Sequence, residues 1–202
     1  MIILGLTGSI AMGKSTAAGM FRRLGIPVHD ADQAVHRLLA ARGAAVPLVE
    51  RAFPGVVDCG AIDRKRLGAR VFGDDRALRL LERILHPLVA REREHFLGQA
   101  RRQRRSLVVL DIPLLYETGA ETLCDAVVVV SAPQFLQLTR LLQRSNMTRE
   151  RIAAITARQM PDAQKRRRAD FVIPSGLGRA PTFKAIRRIT EHLRERPREA
   201  GP

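Results

Sequence analysis

Blocks of apolar residues alternate along the chain with stretches in which apolar residues recur at helical spacing. The first block is MIILGL, residues 1–6, and similar strand-like runs occupy 27–32, 107–113, 125–132 and 170–176. Short continuous runs of this kind are typical of strands buried on both faces of a parallel sheet. The alternation therefore predicts an α/β fold with a mainly parallel sheet.

The segment from about residue 32 to 105 has a different pattern, with several helical stretches and few strand signals. A helical insertion between two strands of a sheet indicates a substrate-binding subdomain. Residues 133–144 predict a helix with proline in its first turn. Residues 147–170 predict a pair of basic helices, the first capped by Thr148. Such a pair before the last strand resembles a lid over phosphates.

The first strand is followed by the loop GSIAMGKST, residues 8–16. Its Gly8, Gly13, Lys14 and Ser15 fit the phosphate-binding pattern G-x-x-x-x-G-K-[ST]. Glycines let the backbone approach an anion, and the N–H groups that open the next helix point at phosphate oxygens. Lys14 supplies a charge for the β- and γ-phosphates, and the Ser15 hydroxyl can reach the Mg²⁺ that accompanies ATP. The residues after Lys14 predict a helix that ends near Gly25.

Composition narrows the class of protein. With 202 residues, 46% of them hydrophobic, the chain is long enough to bury one core. No run approaches 18 consecutive apolar residues, so no membrane partner is expected. The N-terminal strand and loop differ from a signal peptide. These features predict a cytoplasmic protein.

The net charge of +15 favours a polyanionic partner, which is either nucleic acid or a small molecule. Arginines cluster at 101–105 and 165–170, and a solvated helix end is the alternative interpretation of the first cluster. Aromatic residues make up only 4% of the chain, which argues against a stacking platform for single-stranded nucleic acid. Cys59 and Cys124 are far apart and suit reduced thiols better than a disulfide or a metal site.

Acidic residues follow two of the predicted strands. Asp30 and Asp32 are two apart on an extended segment and would point to the same side, so that one could hold substrate or metal while the other acts as base. The alternative is that they cap the following helix. Asp111 ends the run LVVLD and could hold Mg²⁺ as a Walker B aspartate does, or cap the strand. Glu117 follows it, and a solvated loop acid is its simplest interpretation.

Two further kinds of residue are candidates. Arg140 and Arg144 lie four apart, on one face of a predicted helix, where lid arginines can neutralise charge on a transferred phosphoryl group. A solvated basic face is the alternative. His86 precedes Pro87 inside an apolar pattern, which indicates a packed or capping histidine. No group of His, Cys and acidic residues has zinc-ligand spacing.

Several segments together resemble the dephospho-CoA kinase family. In family order they are LGLTGSIAMGKST, LGIPVHDAD, ILHPLV, LDIPLLYETG, DAVVVVSAP and ITARQMPDAQKRRRADFVI, over about residues 1–190. The resemblance implies one domain, 1–202, with a P-loop NTPase-type three-layer fold, a helical substrate-binding insertion and a helical lid. On that layout the P-loop core is 1–32, 106–140 and 169–192, the CoA-binding subdomain is about 33–105, and the lid is about 141–168.

The resemblance also implies a reaction. The family transfers the γ-phosphate of ATP, with Mg²⁺, to the ribose 3′-hydroxyl of dephospho-CoA, giving CoA and ADP. Carried over by position, Asp32 would be the base for that hydroxyl, Arg140 a lid-side arginine near the phosphates, and His86 a residue that shapes the CoA pocket. The ATP phosphates would be held by Gly8, Ala11, Met12, Gly13, Lys14, Ser15 and Thr16, and Mg²⁺ by Ser15 and Asp111.

The expected partners are therefore ATP and dephospho-CoA, without nucleic acid, for a monomer or small homo-oligomer. One position departs from the family, which commonly has Gly where this chain has Ala11. A Cβ makes a positive φ costly, so either Ala11 has a negative φ or the loop is slightly altered.

Three other functions remain open at this stage. A kinase for another small acceptor, such as a nucleoside or nucleotide, would share the phosphate loop and lid. A nucleic-acid binder would use the net charge but leaves the phosphate loop unexplained. A nucleotide switch would not need the paired aspartates.

Overall fold

The computed structural model describes residues 1–144 and 147–195. The strands in these ranges are β1 (Ile2–Thr7), β2 (Val28–Asp30), β3 (Val57–Asp58), β4 (Ala61–Ile62), β5 (Leu107–Asp111), β6 (Ala126–Ser131) and β7 (Phe171–Pro174). The helices are α1 (Lys14–Arg23), α2 (Ala31–Leu39), α3 (Val46–Ala52), α4 (Arg64–Val71), α5 (Asp75–Arg102), α6 (Gln134–Leu142), α7 (Arg149–Ala157), α8 (Asp162–Arg168) and α9 (Arg179–Glu195), with a 3₁₀ turn at Ala120–Leu123.

The main sheet has five strands in the order β2-β5-β1-β6-β7. β1 pairs in parallel with β5 and β6, and β6 pairs in parallel with β7. The central register places Leu4 beside Val109 on one side and Ala126 on the other. Every residue of β5 and β6 is buried, because helices cover both faces of a parallel sheet. The predicted α/β fold with a mainly parallel sheet is confirmed.

Two carboxylates hold backbone N–H groups next to β1 and β6. Asp125 Oδ2 accepts a hydrogen bond from Ile3 N at 2.6 Å, and Asp170 Oδ2 accepts one from Val127 N at 2.8 Å. A backbone donor left unpaired at these positions would be costly. These two aspartates therefore satisfy backbone donors in the part of the sheet that leads to the phosphate loop.

The second predicted strand differs in its extent. β2 ends at Asp30, and Asp32 already lies in the first turn of α2. The prediction that the two aspartates share one side of an extended segment is therefore wrong. Asp30 instead caps α2, since its Oδ1 accepts a hydrogen bond from Gln33 N at 3.0 Å, as the alternative interpretation of this pair expects.

The chain divides into two compact units, one of residues 1–29 and 100–202 and the other of residues 30–99. The second unit is mainly helical, with its own core around Leu38, Val49, Phe53 and Leu67. It also contains an antiparallel hairpin of β3 and β4, which the sequence pattern did not indicate because each strand is only two residues long. The assignment of 33–105 to CoA binding and of 141–168 to a lid stays a prediction.

Two smaller expectations can be compared with the structure. In the described part of the chain, no helix combines the length and the apolar character needed to cross a bilayer. Neither Cys59 nor Cys124, both within the described ranges, is part of a disulfide.

Candidate active site

The loop between β1 and α1 needs glycine at two positions for two different reasons. A Cβ at Gly8 would lie 2.6 Å from the carbonyl oxygen of Val130, so the neighbouring strand β6 leaves no room for a side chain. Gly13 has φ +93°, in the left-handed region, at the residue just before α1. Together they let the backbone turn tightly into the helix, which is the geometry of a phosphate-binding loop.

Ala11 is in the left-handed region, with φ +61°. The first of the two expectations for this position, a negative φ, is therefore wrong. The loop keeps a conformation that favours glycine in spite of the Cβ, at a cost of about 1–2 kcal/mol. Neighbouring side chains must hold it in that conformation.

Arg140 is one of those side chains. Its Nη1 donates to the carbonyl oxygen of Ala11 at 3.2 Å, and its Nη2 donates to the carbonyl oxygen of Ser175 at 2.9 Å. The Ser175 hydroxyl in turn donates to the carbonyl oxygen of Met12. Arg140 from α6 and Ser175 after β7 thus brace the loop by its carbonyl groups.

Gln137 and Gln159 also contact the loop, and the sequence reasoning missed both. Gln137 Nε2 donates to the carbonyl oxygen of Ile10 at 2.9 Å, and Gln159 Oε1 accepts from Ile10 N at 3.1 Å. The signal for Gln159 was its place in the family-like segment RQMP, residues 158–161. Gln137 has no such signal, because a glutamine on a helix face is usually solvated.

Lys14 and Asp111 form an ion pair at 2.7 Å between Nζ and Oδ1. Asp111 ends β5 with its side chain 1% exposed, and Lys14 begins α1 with its side chain 16% exposed. The parallel sheet brings them together because β1 and β5 are neighbours and Leu6 is in register with Asp111. Two of the predicted site residues, from distant parts of the sequence, therefore meet at the carboxyl end of the sheet.

Ser15 and Thr16 lie in the first turn of α1, and both are exposed. The first N–H groups of a helix have no acceptor within the helix, and the helix dipole favours an anion there. The first turn of α1 carries no acidic side chain that would occupy this position. Met12, by contrast, is buried, and its Sδ accepts from Ala132 N at 3.2 Å.

The two predicted site residues of the second unit, Asp32 and His86, both have exposed side chains. Asp32 is exposed in the first turn of α2. His86 lies in α5 next to Pro87 and is exposed, so the expectation of a packed or capping histidine is wrong. Its side chain is on the solvent face because the apolar positions around it, such as Leu85 and Leu88, form the buried stripe.

Glu117 is not a solvated loop acid. Its Oε1 accepts a hydrogen bond from Met160 N at 2.7 Å and forms an ion pair with the Lys165 ammonium at 2.8 Å, and Lys165 is completely buried. Burial by itself raises the pKa of Glu117. The Lys165 ammonium and the Met160 N–H together lower this pKa by more, so it lies below its ordinary value. This pair fastens α8 to the loop after β5.

Three residues of the basic segment at 165–170 have structural side-chain contacts, namely Lys165, Arg168 and Asp170. Arg168 lies over the ring of Tyr116, with 4.5 Å from its guanidinium carbon to the ring centroid, and pairs with Glu121 at 2.5 Å. Burial raises the pKa of the Tyr116 hydroxyl. Lys165 and Asp170 therefore have structural roles, whereas Arg166 and Arg167 are exposed.

A cavity of about 830 Å³ lies beside the phosphate loop. It is lined by Ser9 and Met12 of the loop, by residues of α6, α7 and α8, among them Gln137, and by Gln159 between α7 and α8.

The strand–loop–helix with Lys14 against a strand-end aspartate defines a P-loop nucleotide-binding protein. A model of the dephospho-CoA kinase family matches residues 2–177. The chain therefore belongs to the dephospho-CoA kinase family.

Individual relatives agree with this result. The chain is 63% identical over 82% of its length to a dephospho-CoA kinase of Paramagnetospirillum magneticum, covering 78% of that protein. It is 54% identical over 96% of its length to one of Mesorhizobium japonicum, covering 98% of it. Among solved structures, the TT1252 protein of Thermus thermophilus superposes with a TM-score of 0.81 at 35% identity, over 95% of this chain and 96% of that one.

Proposed function

We propose that this protein transfers the γ-phosphate of ATP to the ribose 3′-hydroxyl of dephospho-CoA, giving CoA and ADP. Membership of the dephospho-CoA kinase family supports this reaction. The observation that carries it within the structure is the phosphate loop, whose glycines, left-handed Ala11 and Lys14–Asp111 pair are all in place. The alternative acceptors, nucleosides and nucleotides, have no comparable support.

The phosphates of ATP would lie on residues 8–16. The backbone N–H groups of the loop and the first turn of α1 would bind them, and Lys14 would exchange its contact with Asp111 for one with the β- and γ-phosphates. Arg140, already against the Ala11 carbonyl, supplies a second positive charge at the loop. These groups stabilise the charge that moves from the γ-phosphoryl group to the leaving oxygen.

Ser15 and Asp111 fit a Mg²⁺ ion that arrives with ATP. Both offer the oxygen donors that Mg²⁺ prefers, and two protein ligands are enough because phosphates and water complete the shell. When bound, the ion would neutralise phosphate charge. Asp111 is buried at the end of β5, so its carboxylate is held in a fixed place whichever cation it faces.

Asp32 is the residue we assign as the base for the 3′-hydroxyl. It is exposed in the first turn of α2 and does not cap that helix, whereas Asp30 does. Of the two carboxylates, Asp32 is therefore the one that is available to a substrate. His86, exposed on α5, is assigned to the CoA-binding surface of the same unit.

The experiment that tests the reaction measures ADP release by the purified protein with ATP and Mg²⁺. Dephospho-CoA is compared with adenosine, AMP, CMP and no acceptor, and CoA is identified as product. Release that depends on dephospho-CoA alone supports the proposal. Equal release with a nucleotide, or without any acceptor, contradicts it.

The role of Asp32 is tested by Asp32→Asn, with Asp30→Asn as the matched variant. We expect kcat of Asp32→Asn to fall by about 10²–10⁴-fold, as for loss of a general base, while ATP binding is unchanged. Asp30→Asn keeps an N-cap residue and is expected to lower kcat far less. A kcat for Asp32→Asn near that of the unmodified protein would remove Asp32 from the base role.

A further inference from the structure

Protein donors bind the carbonyl oxygens of four consecutive peptide groups in the phosphate loop. The first of these peptides joins Ser9 to Ile10, and the last joins Met12 to Gly13. Ser9 O accepts from Met12 N at 3.1 Å. The next three carbonyls are bound by side chains, Ile10 O by Gln137, Ala11 O by Arg140 and Met12 O by Ser175.

A trans peptide points its N–H opposite to its C=O, and the described chain has no cis peptide. Gln137 therefore sets the direction of the Ala11 N–H by binding the Ile10 carbonyl, and Ser175 sets that of the Gly13 N–H by binding the Met12 carbonyl. These two N–H groups face away from the side chains that hold their peptides. That side of the loop is where an anion binds.

Gln159 acts on the preceding peptide. Its Oε1 accepts the Ile10 N–H at 3.1 Å, so this one N–H is taken up by the protein and is not offered to a ligand. Ile10 is thus held through both of its backbone groups, by amides from α6 and from the segment after α7. The roles of the two amides are fixed by the backbone, since an N–H can only donate and a carbonyl can only accept.

We propose that Gln137 and Gln159 are positioning residues for ATP, which hold the Ile10 peptides so that the Ala11 N–H is aimed at a bound phosphate. The proposal rests on the proposed function in taking ATP as the ligand. It also accounts for an alanine at a left-handed position, because the peptides on both sides of Ala11 are held by side chains, Ile10 O by Gln137 and Ala11 O by Arg140. Neither glutamine touches the reacting atoms.

The opposite roles of the two amides give a matched test. Gln137→Glu places a carboxylate against a carbonyl oxygen and removes the donor, whereas Gln159→Glu adds the same charge but keeps an acceptor for the Ile10 N–H. Gln134→Glu adds that charge on the exposed first residue of α6, which lines the cavity beside the loop, and so reports the effect of a nearby negative charge by itself.

The dissociation constant of ATP is measured by titration calorimetry without acceptor, and KM for ATP and dephospho-CoA with it. We expect Gln137→Glu to weaken ATP binding by about tenfold or more, with KM for dephospho-CoA and kcat changed less than threefold. The effect of Gln159→Glu is expected to be several-fold smaller, and that of Gln134→Glu about twofold or less. Equal weakening by Gln137→Glu and Gln159→Glu would overturn the proposal, as would normal binding by Gln137→Glu.

If Gln137→Glu does not fold, the ATP affinity of the nearly isosteric variant Gln137→Met tests the proposal instead. It is expected to weaken ATP binding by about fivefold, and binding within twofold of the unmodified protein overturns the proposal. Because ATP binding is measured without acceptor, the outcome is independent of the substrate. Protein that binds ATP but leaves dephospho-CoA unchanged would contradict the proposed function and leave the comparison of the glutamines standing.

Discussion

Two lysine–carboxylate pairs in the same unit have nearly the same N–O distance and opposite access to solvent. Lys14 meets Asp111 at 2.7 Å and Lys165 meets Glu117 at 2.8 Å. In the first pair the carboxylate is the buried partner, at 1% exposure, and the lysine is 16% exposed. In the second the lysine is fully buried and the carboxylate is 16% exposed.

This difference in burial distinguishes an ion pair that can take part in phosphate binding from one that only stabilises the fold. Lys14 begins α1 at the phosphate loop, so its ammonium can leave Asp111 for an incoming phosphate without becoming unpaired. Lys165 has no such exchange open to it, because moving a buried ammonium away from Glu117 leaves a charge without a partner. Burial of the cation, rather than the distance between the charges, therefore decides which pair can take part in chemistry.

The largest expected effect is that of Lys14→Met on activity. We expect kcat/KM for ATP to fall by about 10²–10³-fold, the usual cost of removing one group that stabilises transferred charge. The measurement is dephospho-CoA-dependent ADP release, with Lys165→Met as the matched variant. A smaller loss of activity in Lys14→Met than in folded Lys165→Met would reverse the assignment of the two pairs.

Lys165→Met is expected to act on stability. The free energy of unfolding should fall by about 3 kcal/mol, because removing the ammonium of a buried pair leaves the Glu117 carboxylate without its counter-charge. Denaturant unfolding followed by circular dichroism measures this change. Activity per folded molecule should stay within a few-fold of the unmodified protein. A change in stability below about 0.5 kcal/mol, the level of a surface substitution, would show that the pair is not structural.

The pH dependence of stability sharpens the same contrast. The pKa of Glu117 in the folded protein lies below its ordinary value of 4.5, so the unfolded state binds more protons as the pH falls past 4.5. The stabilisation by Glu117 is fully present above that pH and is lost as the pH falls through the lowered pKa. The difference in the free energy of unfolding between the unmodified protein and Glu117→Gln should therefore shrink as the pH is lowered into the acid range. A constant difference at all pH values would contradict this.

The smallest effect is expected for Ala11→Gly. Glycine relieves the left-handed strain of about 1–2 kcal/mol but gives the unfolded chain about 0.5–1 kcal/mol of additional freedom. The net gain in the free energy of unfolding should be about 1 kcal/mol or less, with ATP affinity within about twofold. Thermal unfolding and ATP titration measure the two quantities. A large gain in ATP affinity would mean that the loop is distorted by Ala11 and not preset by its neighbours.

Much of this protein is determined by local sequence. The five apolar runs became the five strands of the main sheet, because a continuous apolar segment between helices must be buried on both faces. The phosphate loop followed from the spacing of Gly8, Gly13 and Lys14, and Asp111 from its place at the end of a strand. Each of these features depends on residues that are close together in the chain.

The tertiary structure alone decided the rest. From the sequence, Glu117 is interpreted as a solvated acid, but α8 places Lys165 against it. Asp170 belongs to a charged segment in the sequence, but in the structure it accepts a backbone N–H of β6. The left-handed Ala11 and its braces, Arg140 and Gln137, are separated by more than a hundred residues along the chain. Such pairs depend on where the sheet and helices place distant residues, and a hydrogen bond or ion pair leaves no periodic signal in the sequence.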